Sequence, residues 1–92
     1  MVDRIEEING TKFRKLKEDL DGKTAGGILI LGNERNKDFY FRVIMEREEP
    51  IVFMYYSYSE KKLKIDVDKI NSFSDPLKLK IRFVLSKIGI KI

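Results

Sequence analysis

Between Phe39 and Ile70 three apolar-patterned segments are joined by connections of only a few residues, and this spacing constrains the fold most. Phe39–Glu46 alternates, with Phe39, Phe41, Val43 and Met45 on one face and Tyr40, Arg42, Ile44 and Glu46 on the other. Arg47-Glu48-Glu49-Pro50 turns the chain into Ile51–Ser59, which is β-branched and aromatic on both faces and so reads as a central strand. Glu60-Lys61 leads into Lys62–Ile70, with Leu63, Ile65 and Val67 inward and Lys62, Lys64, Asp66 and Asp68 outward. Parallel neighbours need long crossovers, so such short links dictate antiparallel pairing. The apolar run Ile28–Leu31, followed by turn-forming residues from Gly32 to Asp38, adds a fourth strand.

The flanks favour helices. Ile5, Ile8, Phe13, Leu16 and Leu20 recur mostly at three and four residues, with Val2 extending the series. Asn9-Gly10-Thr11 interrupts it. Either Thr11 caps a helix from Lys12 to Asp21, or Asn-Gly turns a short hairpin; residues 2–10 fit helix or hairpin. Gly22 suits the residue just past a helix end, and Lys23–Gly27 reads as a loop. At the other flank, Leu77, Leu79, Ile81, Phe83 and Leu85 alternate like a strand, whereas Leu77, Ile81, Val84, Leu85 and Ile88 form one helical stripe. Ser74-Asp75-Pro76 supplies a helix start and Gly89 a stop, which favours helix from Pro76 to Ile88.

The expected fold is therefore one α+β domain over residues 1–92: an N-terminal helix, a four-stranded antiparallel meander, and a C-terminal amphipathic helix packed on one sheet face. Its expected core is Leu16, Leu20, Leu29, Leu31, Phe41, Val43, Phe53, Ile65, Val67, Ile81, Val84 and Ile88.

Histidine and cysteine are both absent. That removes His-based triads, thiolate chemistry, disulfides and ordinary zinc sites. No cofactor is implied. Apolar residues make up 42% of the chain, enough for a packed globule despite 37% charged residues. Abundant Lys, Glu and Ile with no glutamine fits a hyperthermophile's composition or an AT-rich genome. No stretch has the ~20 apolar residues that span a bilayer, and the charged start resembles no targeting signal, so the cytoplasm is the expected location.

Asp75 is the only acid after Ser74, against Lys78, Lys80, Arg82, Lys87 and Lys91, so the whole net charge of +4 sits in this last segment. Lys12, Arg14 and Lys15 form a smaller basic run. On a helical wheel, Leu79 and Phe83 lie opposite the core stripe, within the basic ring. An exposed apolar pair of this kind marks a protein contact. The expected function is thus a small non-enzymatic module that binds itself or another protein through Leu79 and Phe83. The alternative is sequence-independent nucleic-acid binding by Lys78, Lys80, Arg82, Lys87 and Lys91 with Lys12, Arg14 and Lys15. Three weaker signals remain. Gly22-Lys23-Thr24 looks like the end of a phosphate-binding loop, but Lys17 stands where the motif's first glycine belongs. Glu60-Lys61-Lys62 with Asp38 or Asp66 has the carboxylate–lysine spacing of a metal-dependent nuclease core. Tyr55, Tyr56 and Tyr58, with Tyr40 and Arg42, resemble a base-stacking surface.

Overall fold

The computed structural model describes residues 3–92, so Met1 and Val2 lie outside it. The element order is β1 (Asp3–Glu7), α1 (Gly10–Leu20), β2 (Thr24–Ala25), β3 (Ile28–Arg35), β4 (Asp38–Ile44), β5 (Ile51–Ser57), β6 (Lys62–Asp66), α2 (Val67–Ser72) and α3 (Asp75–Ser86). The class is α+β as expected, but the antiparallel sheet has six strands, ordered β1-β6-β5-β4-β3-β2, not four.

The two added strands lie at the edges. Asp3–Glu7 is a strand, not the first turns of a helix: it pairs with β6 from Asp3↔Asp66 to Glu7↔Lys62. Its partner's edge would otherwise leave backbone groups unpaired, a demand that local periodicity does not register. Thr24–Ala25, expected as loop, adds a two-residue strand beside β3. β3 also runs on through Gly32–Arg35, so the turn shrinks to Asn36-Lys37, with Asn36 at φ 57°.

Asn9, rather than Thr11, caps α1, its side chain accepting from the Lys12 N–H at 2.9 Å. The helix buries Phe13, Leu16 and Leu20 and is followed by Gly22 at φ 79°. Fully burying one such leucine is worth about 1.5–3 kcal/mol. The strand pattern of Lys62–Ile70 breaks at Asp66, whose side chain accepts from the Lys69 N–H and starts α2. The final segment is helical, with Ser74 at the cap position and Pro76 in the first turn. Its buried stripe is Leu77, Ile81, Val84 and Leu85, and the tail returns Ile88 and Ile90 to the core.

The buried side of the sheet consists of Ile30, Phe39, Phe41, Val43, Met54, Tyr56, Leu63 and Ile65. A bulge lets β5 contribute two successive residues to it: Met54 pairs with Phe41 and Val52 with Arg42, so Phe53 is the extra residue. Phe53 and Met54 are each only 1% exposed. Phe53 meets Phe73 edge-on at 5.8 Å, fixing the α2–α3 connection. Three expected core positions are corrected. Leu29 and Leu31 pair with Ile44 and Arg42 on the opposite face, Ile30 being the core residue. Val67, at the start of α2, is only partly buried.

Candidate protein-contact face

Among the described residues the buried side chains of α1 and α3 pack on one side of the sheet, and strand parity turns the alternate residues to the other side. Three rows cross it. The first runs Glu7, Lys62, Ser57, Asp38, Arg35 from β1 to β3; the second runs Ile5, Lys64, Tyr55, Tyr40, Asn33. The third places Asp3 beside Asp66 at one end and Val52, Arg42, Leu31 at the other, with the bulge between. Leu29 and Ile44 extend its apolar end.

The centre is aromatic. Tyr40 and Tyr55 stack at 5.4 Å and 27°, and the Lys64 ammonium stands 5.8 Å over the Tyr55 ring. On this face Ile5 and Val52 are the most open apolar residues, at 60% and 39% exposure. Beside the bulge lies a shallow cavity lined by Asp3, Val52, Tyr55, Lys64, Asp66 and Lys69. Lys69 spans it, donating to the Val52 carbonyl at 3.2 Å and pairing with Asp66 at 3.7 Å. Lys64 pairs with Asp3 at 3.4 Å. Nε of Arg42 is buried and has no hydrogen-bond partner among the described residues, a costly state for a charged donor.

The tyrosine cluster expected from the sequence is therefore split. Tyr40, Tyr55 and Arg42 share the open face. Tyr56 belongs to the core, stacked on Phe13 at 4.2 Å with its hydroxyl donating to the Ile8 carbonyl at 2.8 Å. Tyr58 sits at the rim of that core and donates to Glu34 Oε1 at 2.7 Å. Burial, the hydrogen bond to Glu34 and that carboxylate's charge push the Tyr58 phenol up to about 12, and burial also raises Tyr56. Below pH ~10 both phenols are neutral in the folded and unfolded chains. Above it the unfolded chain loses its protons first, so stability falls as pH climbs from about 10 towards 12. Melting curves across that range should show a shallower decline for Tyr58→Phe than for the parent chain; equal declines would contradict the assignment.

Leu79 and Phe83 are exposed on α3, at 58% and 60%. The Lys87 ammonium covers the Phe83 ring at 4.9 Å and also pairs with Asp19 at 3.7 Å. Lys78 pairs with Asp75 at 3.3 Å, and Arg82 donates to the Ile92 carbonyl at 2.9 and 3.3 Å. Lys80 is half-buried, while Lys91, Lys12, Arg14 and Lys15 are exposed, the last three on α1. Glu60 lies in the β5–β6 turn, and Asp38 and Asp66 stand in different rows. Among the described residues no group of three or more Asp, Glu, His or Cys is arranged to hold a metal ion. No described helix is long and apolar enough to cross a membrane.

No family model matches the chain, and the searches of curated proteins and of solved structures return no match either.

Proposed function

We propose that this protein is a non-enzymatic binding module acting through protein–protein contact, made by the uncovered face of its sheet. The observation that carries this reading is that face's centre: Tyr40 stacked on Tyr55, Val52 and Leu31 beside them, and Arg42 with a buried, unpartnered Nε. Tyrosine and arginine set among apolar residues are the typical anchors of protein interfaces. The surrounding charges nearly balance: Arg35, Arg42, Lys62, Lys64 and Lys69 stand against Asp3, Glu7, Asp38 and Asp66. A phosphate backbone gains little from a neutral surface, so protein is favoured over nucleic acid. Lys78 and Arg82 on α3, and Lys87 just after it, already have partners within the chain, which weakens the basic-segment alternative. Leu79 and Phe83 form a separate, two-residue apolar patch on α3.

A photo-reactive residue in place of Val52 should form an adduct with protein in extract of the cells that make this chain, and one at Leu79 should not. Leu79→Asp with Phe83→Asp should leave solution mass unchanged. An adduct from position 79 alone would move the contact to α3. A nucleic-acid adduct, or none from position 52, would overturn the reading.

A further inference from the structure

We infer that the partner is a second copy of this chain, docked sheet to sheet about a two-fold axis running along β5; this rests on the open face being the contact surface. The inference comes from how the charges are distributed about β5. A two-fold axis parallel to β5, lying between the sheets, places β4 over the partner's β6 and β3 over the partner's β1, with each row kept in line. Arg42 then meets the partner's Asp66, and Asp38 meets the partner's Lys62. Arg35 meets the partner's Glu7, and Tyr40 receives the partner's Lys64 against its ring. On the axis itself Val52 and Tyr55 meet their own counterparts. Every facing charged pair is of opposite sign, and each occurs twice, as a self-complementary interface requires.

The alternative orientation fails the same comparison. An axis running across the strands sets Lys64 on Lys64 and Glu7 on Asp3. Of these two axes, the one along β5 opposes no like charges within the three rows, the partner's Lys69 reaching Arg42 only through the Asp66 it already pairs with, and it lays the two sheets in the aligned packing usual for sandwiches. It also sets a carboxylate against the Arg42 guanidinium, which stands on this face. Sheets packed face to face stand ~10 Å apart, a gap that facing arginine, lysine and tyrosine side chains fill. Five strands at ~4.8 Å spacing, three to four rows deep, present on the order of 350 Å² in projection. That lies at the small end of specific interfaces, so the dimer is weak and depends on concentration.

Sedimentation from about 10 μM to 1 mM tests it. Arg35→Glu with Asp38→Lys reverses the β3–β4 side, and Glu7→Lys with Lys62→Glu reverses the β1–β6 side. Each change swaps two residues already paired within one chain, so contacts inside the monomer keep opposite signs. Each variant alone acquires four like-charge contacts across the interface and should dimerise roughly tenfold more weakly. Mixing the two in equal amounts makes every contact attractive again and should restore the parent's dimerisation. Failure of the mixture to recover overturns the inference. A parent chain that stays monomeric at 1 mM, yet crosslinks a different protein from position 52, overturns self-pairing and leaves the contact reading standing. Monomer with no adduct removes both. If either double variant does not fold, Tyr55→Lys, which sets two ammonium groups together on the axis, must weaken the dimer; unchanged association overturns the inference.

Discussion

Phe13→Ala should lower folding stability by about 4 kcal/mol and the melting temperature by roughly 20 °C. Phe13 is the α1 residue around which the aromatic core is assembled. Its ring stacks on Tyr56 at 4.2 Å with an angle of 9° between planes, and meets Phe39, Tyr58 and Phe41 edge-on at 5.4, 5.5 and 6.1 Å. It is 4% exposed. Truncation removes the ring's burial and leaves a cavity between two layers that cannot close, because α1 is fixed at both ends. Asn9 caps one end, and at the other the Gly22 N–H donates to the Ile30 carbonyl at 2.8 Å. The geometric preference of the stacked and edge-on pairs adds to the loss. Urea unfolding measures it: a lower midpoint at unchanged slope is expected. A loss under about 1.5 kcal/mol would mean that the layers collapse onto the gap. Phe13→Leu, which keeps most of the volume, should cost less than half as much.

The second large effect runs against propensity. Glycine weakens a strand interior, so Gly32→Ala in β3 ought to stabilise. The opposite is expected, a loss of about 3 kcal/mol, at the top of the range for overpacking. A Cβ at Gly32 would stand 2.1 Å from Cζ and 2.5 Å from Cε1 of Phe39, with the Asp21 carboxyl carbon at 3.1 Å. The Phe39 ring has no room to retreat, since it is held by Phe13 and Phe41 and covered by the Lys17 ammonium at 4.9 Å. Asp21 is held too, accepting from the Gly32 N–H at 2.7 Å. The discriminating experiment is a double-mutant cycle with Phe39→Leu. The pair should be more stable than the sum of its single losses, because each change makes room for the other. Strict additivity would place the cost elsewhere.

What could be read from the residues alone follows how local each cause is. The meander was legible because Phe39, Phe41 and Val43 alternate cleanly and Glu60-Lys61 leaves no length for a crossover. The last helix was legible through Pro76 and Gly89. Asp3–Glu7 was not, because a strand so charged is defined by the free edge of Lys62–Asp66, far along the chain. Val67 continued the alternation of Leu63 and Ile65 without break. Only the capping carboxylate of Asp66, one residue earlier, turns the backbone into α2, and aspartate in an alternating run reads equally as an exposed strand residue. The contact face was half visible. Tyr40, Arg42 and Tyr55 stand out in the sequence, but Tyr56 and Tyr58 fall in the same aromatic cluster although neighbours in a strand point to opposite sides. The side that Leu29 and Leu31 face is not legible, because an all-apolar run carries no sign of which side the helices cover. Leu79 and Phe83, the pair that did stand out, are exposed as the helical wheel requires.

The pairing of β1 with β6 also has a consequence for the order of assembly. The hairpins of β3, β4 and β5 close over short loops and can form as soon as each turn is made. β1 has no local partner; Asp3 must wait for Asp66, and the Ile8 N–H for the Lys61 carbonyl. Contacts this distant in sequence form late, because their loop must close before they return any energy. Of these six strands the first in the chain is thus the last to be placed, and until then the edge of β6 stays open to any other strand that can reach it.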